Sequence, residues 1–359
     1  MTDSQPLAAE RRRIILAALA REGVVRNAEL VAWLDVTPVT LRRDLAQLEQ
    51  EGLLTRVHGG AVAALGARAR GADDEGAIAV LVPSLSFYWP TVVRGIEAEA
   101  RRGGFRVVLR GASYEPLDER PALQRLIETD GVRGLIVAPN TDAPHAQEVV
   151  QWLAECGVPV VLAERDGIVL PDREPLESAT SDHALGAMLA ARHLSGLGHR
   201  RVGLLSSRTS PTSRKIEAGW HSACDELGMS SSQHFERRLP PHTSGDFAAA
   251  VDATLDTVVD EGTTGLLVHS DAEAMALVER ALARGISVPH DLSVIAYDDE
   301  LAELFTPALT AVSPPRVAVG EAAAELILSR IAAPTRPARR VVLSPSLVVR
   351  ASTAPPAGG

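Results

Sequence analysis

The sequence predicts an α/β protein: a small helical head carrying a β wing, followed by a larger body of two parallel-sheet lobes covered by helices. Three observations carry this reading. At 359 residues the chain is too long for one ordinary hydrophobic core, so two or three domains are expected. Residues 1–62 hold three amphipathic helical segments and a Gly-Gly ribbon. Beyond residue 77 the pattern changes to short apolar runs separated by longer amphipathic segments, the signature of strand–helix alternation.

Composition bounds the class. With 46% hydrophobic and 23% charged residues, the chain is globular rather than disordered. The opening "MTDSQPLAAERRR" lacks the apolar core of a signal peptide, and no apolar run reaches bilayer length; a cytoplasmic protein without membrane contact is expected. Cys156 and Cys224 have no metal-ligand spacing around them, so free thiols are expected, with no disulfide, metal or cofactor. The net charge is −10, yet residues 1–62 hold eight arginines against eight acids, so the body carries the whole excess. Any nucleic-acid contact must therefore be local.

In "ERRRIILAALAREG", Ile14, Ile15, Ala18 and Leu19 repeat at helical spacing and Gly23 is placed as the stop. Asn27 suits the cap of a second helix, "AELVAWL", with Leu30, Val31 and Leu34 on one face. Thr37 is a good N-cap and Pro38 suits the first helical position, where its missing N–H costs nothing. The third helix should run from about Pro38 to Glu51 and stop at Gly52. Leu41, Leu45 and Leu48 share its inner face; Val39, Arg43, Ala46 and Gln50 share the outer one, flanked by Thr40, Gln47 and Arg42. Arginine and glutamine address base edges bidentately, a valine methyl suits thymine, and threonine or arginine suits phosphate. "LLTRVHGGAV" reads as two short strands around Gly59-Gly60, a wing that presents Arg56 and His58. The same outer face would equally serve a protein-interaction module with solvated arginines.

The matching residues decide between these. Arg11, Ile15 and Leu19, then "TPVTLRRDL" and "GLLTRVHGGA", resemble the winged helix-turn-helix of DeoR-family transcription regulators over about residues 8–62. The resemblance implies DNA contacts from Thr37, Val39, Thr40, Arg42, Arg43, Gln47, Arg56 and His58.

A small, charged, glycine-punctuated linker is expected over 63–76, then a ligand-binding body over 77–352 and a tail over 353–359. The apolar runs "AIAVLV", "FRVVLR", "VRGLIVA", "VPVVLA", "RVGLLS", "TGLLVH" and "LSVIAY" read as buried parallel strands. Helices are expected over Val92–Arg102, Ala143–Cys156, Ala184–Leu197 and Ala272–Arg284. "GIVLPDREPLES" is Pro-rich and irregular and yields no element.

Ligands of open parallel sheets bind beyond the carboxyl ends of the strands. There the sequence places Phe87, Tyr88 and Trp89, then Glu164, Arg165 and Asp166, and also Asp182, Arg214, Asp271, Asp298 and Asp299. Aromatic faces with aspartates and arginines suit a polyol: C–H faces stack on rings while charged groups bind hydroxyls. Each residue also has a plainer role. Asp182 and Asp271 suit N-caps, Arg165 and Arg214 suit surface ion pairs, Tyr88 or Trp89 suits hinge packing, and Trp220 suits the core.

"FYWPTVVRGIEAEARRGGFRVVL", "VPVVLAER", "SDHALGAMLAARHLSGLGHRRVGLL" and "HSDAEAMALVERALARGISVPHDLSVIAYDDE" occur in the order of the LacI/GalR effector domain. The body resembles that family, itself similar to periplasmic sugar-binding proteins, over about 77–350. The resemblance implies effector contacts from Phe87 or Tyr88, Arg165, Asp182, Arg214, Asp271 and Asp298. It implies one lobe of about 77–163 with 309–330, and a second of about 164–308 with 331–352. Glu164 stands where aspartate is usual and Ser270 where asparagine often stands, and the linker shows no hinge-helix pattern.

The expected protein is a ligand-responsive transcriptional regulator, a repressor rather than an activator, of a carbohydrate-related operon. It binds operator DNA as a homodimer and takes a sugar-like effector. Two rivals share the body: a solute-binding protein, which calls for a secretion signal and no head, and a sugar-modifying enzyme. Against the enzyme, the chain has no phosphate-cradling Gly-Lys loop, no G-x-S-x-G and no metal-spaced histidine cluster.

Overall fold

The computed structural model describes residues 11–12, 14–16, 18–19, 24–34, 36–50, 54–57, 60–63, 76–86, 88–112, 118–129, 131–229 and 234–357. His58, Phe87, Gly23, Gly52 and residues 64–75 of the expected linker lie outside them.

In the head, residues 11–12, 14–16 and 18–19 are helical, followed by β1 (Val24–Arg26), α1 (Asn27–Leu34), α2 (Pro38–Gln50), β2 (Leu54–Val57) and β3 (Gly60–Ala63). The apolar stripe of α2 does what its spacing implies: Leu41, Leu45 and Leu48 are buried against Ile15, Leu30, Leu34 and Leu54. Thr37 Oγ1 accepts the Thr40 N–H at 3.2 Å, which caps α2. Arg11 donates to Asp44 at 2.8 Å and ties the first helical segment to α2. The wing is an antiparallel hairpin, Arg56 opposite Ala61, extended by β1 in the sheet order β1-β3-β2. Here one expectation is corrected. Because β1 runs straight into α1, Asn27 is the first helical residue, and its Oδ1 is buried with no partner among the described residues instead of capping the helix.

The body contains two six-stranded sheets. The first is built from β4 (Ala77–Val82), β5 (Arg106–Gly111), β6 (Val132–Val137), β7 (Val160–Ala163), β10 (Glu177–Ser181) and β16 (Arg340–Leu343), all parallel, in the order β16-β10-β7-β6-β4-β5. The second comprises β11 (Val202–Ser207), β12 (His234–Leu239), β13 (Gly265–Val268), β14 (Ser293–Tyr297), β15 (Thr310–Ser313) and an antiparallel edge, β17 (Ser346–Val348), in the order β12-β11-β13-β14-β15-β17. Each sheet separates two apolar clusters. That is why its inner strands read as unbroken apolar runs.

Helices α3 (Tyr88–Arg102), α4 (Arg120–Ile127), α5 (Ala146–Glu155) and α10 (Arg316–Ala332) belong to the first lobe. The second takes α6 (His183–Gly196), α7 (Ser213–Glu226), α8 (Phe247–Glu261) and α9 (Asp271–Ala283). Two glycines permit close helix approach. A Cβ on Gly219 of α7 would stand 2.1 Å from the Ala184 carbonyl of α6, and one on Gly320 of α10 would stand 2.0 Å from the Val92 carbonyl of α3. The stretch "GIVLPDREPLES" forms a small hairpin, β8 (Ile168–Val169) with β9 (Glu174–Pro175), before entering β10.

The strands divide between the lobes differently from the boundaries expected above. Residues 177–181 and 340–343 pair with each other at the edge of the first sheet, Ala179 opposite Val341. Residues 310–313 pair with β14 in the second, Ala296 opposite Ala311. The chain therefore crosses between lobes after Ser181, after Ser313 and after Leu343. Sheet membership is set by hydrogen-bond partners more than a hundred residues away for β10 and β16, which local periodicity does not record. Among the described residues no helix is long and apolar enough to cross a membrane.

Candidate functional site

The carboxyl ends of both sheets face a cavity of about 240 Å³ between the lobes. One wall comes from the first lobe, including Tyr88, Trp89, Glu164 and Arg165; the other comes from the second, including His269, Asp271, Glu273 and Asp298.

At the floor lies a buried polar chain. Glu164, 3% exposed, accepts from Tyr88 Oη, from Ser181 Oγ at 2.7 Å and from Ser181 N at 2.9 Å. Its Oε2 stands 3.1 Å from His183 Nε2, whose other ring nitrogen is 3.0 Å from Tyr297 Oη. Burial works against the Glu164 charge, but His183 and the hydrogen bonds outweigh it and hold the carboxyl at about 2. Burial, then the Glu164 charge, pushes the Tyr88 hydroxyl well above its ordinary value, so it remains a donor.

Of the predicted effector contacts, Arg165, Asp271 and Asp298 line the cavity with distinct commitments. Arg165 is buried and donates to the Pro139 carbonyl at 3.1 Å and the Glu164 carbonyl at 2.8 Å, with its guanidinium 5.7 Å from the Trp89 ring centroid. One face of Trp89 is thus already covered. Asp271 accepts from the backbone N–H groups of Asp299, Glu300 and Leu301 at 3.3, 2.6 and 2.8 Å, fixing the loop after β14. Burial still raises its pKa above that of an ordinary carboxyl. Asp298 sits at φ 97°, a strained conformation for a non-glycine residue. Burial, then the neighbouring Asp271, drives its pKa well up. Among the described residues no group hydrogen-bonds its carboxyl.

Tyr88 also lines the cavity, with the Arg316 guanidinium 5.8 Å from its ring centroid. Asp182 and Arg214 do not line it. Asp182 accepts from Leu185 N at 2.9 Å as the N-cap of α6. Arg214 is exposed and reaches Asp142 of the first lobe at 3.3 Å. In this structure both side chains are engaged elsewhere: a strand-end position brings a residue near the cleft, and its rotamer and partners decide whether it faces in. Its neighbour Lys215 spans the same gap to Asp166 at 2.6 Å. Burial opposes the Asp166 charge, but hydrogen bonds from Lys215 and Arg340 hold its pKa below ordinary.

Histidines are what sequence reasoning missed. His183, His242 and His269 all line the cavity. His269 is 6% exposed and its Nδ1 is buried with no partner among the described residues; burial pushes its pKa down to about 4. The strand-end rule contained the signal, since His269 closes "TGLLVH" one residue before Ser270-Asp271.

On the head, Thr37, Val39, Arg42, Arg43 and Gln47 are exposed on the outer face of α2 and Thr40 is half-buried. Val39 is 72% exposed, so its methyl groups are open to a partner on the face it shares with Arg43. Arg56 lies on the wing strand β2.

A three-helix head with a wing, joined to two sheets closing on a polar cleft, defines a ligand-binding regulator of the helix-turn-helix class. A family model for the DeoR-like helix-turn-helix domain matches residues 11–65, and one for the periplasmic binding protein-like domain matches residues 191–353. An uncharacterized HTH-type transcriptional regulator in the aml 5' region of Streptomyces limosus is 33% identical over 293 residues, covering 78% of this chain and 79% of that protein. The HTH-type transcriptional regulator MalR of Streptomyces coelicolor is 31% identical over 287 residues, covering 78% and 81%. A LacI family transcriptional regulator from Enterococcus faecium, solved with bound ribose, superposes with a TM-score of 0.63 at 28% identity, covering 78% of this chain and 99% of that one. The chain belongs to the LacI family of helix-turn-helix transcriptional regulators, with a DeoR-like head on the family's two-lobed body.

Proposed function

We propose that the protein represses a carbohydrate-related operon, binding operator DNA as a homodimer through the outer face of α2 and responding to an uncharged sugar in the cleft. The observation that carries the ligand class is the cavity itself. At about 240 Å³ it lies just below the ~300–1,000 Å³ of sites for drug-sized ligands, a size that suits a single sugar ring. Its lining includes five carboxyl residues, Glu164, Asp271, Glu273, Asp298 and Glu300, against one arginine, and Arg165 already donates to carbonyls. A phosphorylated or carboxylated ligand would meet like charge there, whereas hydroxyls would donate to Asp298 and pair with His269 Nδ1. The ribose bound to the Enterococcus faecium regulator supports the same class.

Fluorescence anisotropy on DNA from upstream of the protein's own gene tests this, with neutral sugars and their phosphates as competitors at two salt concentrations. The expected result is tight, salt-sensitive binding released by one neutral sugar. Release by a sugar phosphate alone would refute the ligand class, and stronger DNA binding with sugar would make the ligand a co-repressor.

A further inference from the structure

Away from the cleft and the head, two histidines and a glutamate converge on the outer edge of the second lobe. We propose that His221, His234 and Glu236 form a divalent-metal site, suited to Zn²⁺, that clamps α7 to the edge strand β12.

The placement follows from two periodicities. His234, Glu236 and Arg238 alternate along β12 and so share one face of the sheet. Helix α7 covers that face: Arg238 donates to Glu217 at 2.6 and 2.8 Å, and His221 lies one helical turn further along. His221 Nε2 contacts Glu236 Oε1, and His234 Nε2 lies 3.9 Å from that same oxygen. One ligand atom from each of the three residues falls within 4.8 Å of the other two. Donors at ~2.0–2.2 Å from a zinc ion stand at most ~4.4 Å apart, so side-chain rotation alone would bring all three onto one ion.

The chemistry suits a borderline cation. Two neutral imidazoles and a carboxylate make a three-residue set that leaves a fourth position for water. The carboxylate also supplies charge that imidazoles lack, and Arg238, the cation on the same face of the strand, is committed to Glu217. Cys224, one turn along α7 from His221, is packed into the apolar core of the second lobe and lies outside the group of three. His234 is largely shielded, its side chain 12% exposed, which limits the entropy lost on binding. A metal here would hold the helix whose first turn sends Arg214 and Lys215 across to the other lobe.

Zn²⁺ titration of chelator-stripped full-length protein by calorimetry, with Co²⁺ absorption as a second readout, tests the assignment. One ion per chain is expected, with a rise in Tm. His234→Ala and Glu236→Gln should each weaken binding by ~10-fold or more and abolish the Tm rise, while circular dichroism shows them folded. His290→Ala, at an exposed histidine elsewhere, should change neither. Binding that survives His221→Ala and His234→Ala together, or that falls equally in the His290 variant, would overturn the proposal in favour of adventitious surface binding; so would no binding at all.

Discussion

The Glu164 carboxylate lies 3.1 Å from the His183 imidazole, and the two side chains are 2% and 3% exposed. Glu164 follows the last strand before the β8–β9 hairpin, and His183 opens α6 just after the first crossing between lobes. The pair therefore joins first-lobe backbone to second-lobe helix at the cleft floor. A buried pair of this kind costs desolvation that only complete hydrogen bonding offsets, and Tyr88, Ser181 and Tyr297 supply that completion.

Its pH signature has a definite sign. The Glu164 pKa is about 2 in the folded chain and ~4.3 unfolded, so the unfolded state takes up the proton first. The resulting stability is present above pH ~4.3 and is lost as pH falls toward about 2. It amounts to ~2–3 kcal/mol at most. Denaturant melts of the wild type and of Glu164→Gln across pH 2–5 should converge at the acid end. Curves that stay parallel through that window would show that the pair is not ionised. Asp298 and Asp271, raised by burial, act in the opposite sense, which is why the variant comparison is needed.

His269 contributes higher on the scale. Folded it titrates near about 4, against ~6.5 unfolded. Stability linked to its neutral form is complete above pH ~6.5 and is lost as pH falls through about 4. Effector affinity should decline only as pH approaches about 4, where the folded imidazole takes up its proton, if Nδ1 meets the ligand. His269→Gln should flatten this limb of both profiles, and an unchanged affinity profile would remove His269 from ligand contact.

Asp298 and Asp182 separate binding from capping. Asp298→Ala should weaken effector binding by ~1–3 kcal/mol, read by calorimetry, with the fold retained. Asp182→Ala should leave effector affinity unchanged and lower stability by ~1 kcal/mol, because its carboxylate serves Leu185 N. The reverse pattern would assign Asp182 to effector contact.

Closure draws modestly on the exposed bridges. Lys215 and Asp166 are each about a third exposed, so their attraction is screened and worth ~0–1 kcal/mol. Lys215→Met should cost effector affinity no more than ~5-fold, and the loss should shrink at high salt. A larger, salt-independent loss would mean that the bridge is part of the binding site.

On the head, Arg43→Ala should reduce operator discrimination by ~1–3 kcal/mol, measured against scrambled DNA. Thr37→Ala should instead lower head stability by ~1 kcal/mol through loss of the α2 cap. Unchanged discrimination in the arginine variant would confine Arg43 to phosphate contact or solvent.

The sequence by itself determined the elements that depend on neighbours a few residues away. The α2 stripe of Leu41, Leu45 and Leu48 and the seven apolar runs are legible because burial imposes a period of 3.6 or an unbroken apolar stretch. Polar or half-exposed strands such as "ESATS" and "HFERRL" carry no such mark, since β10 is a buried run of polar residues and β12 is a sheet edge. The strand-end rule brought Arg165, Asp271 and Asp298 to the cleft and put Asp182 beside it. Which of these carboxyls is free was decided only by tertiary structure. Asp271 is consumed by backbone N–H groups almost thirty residues on, Asp182 by its own helix, and Asp298 by nothing among the described residues. Likewise His221 and His234 meet only because α7 folds back over β12. A side chain's chemistry is local, but its hydrogen-bond partners are set by how distant segments pack, and packing is a property of the whole chain.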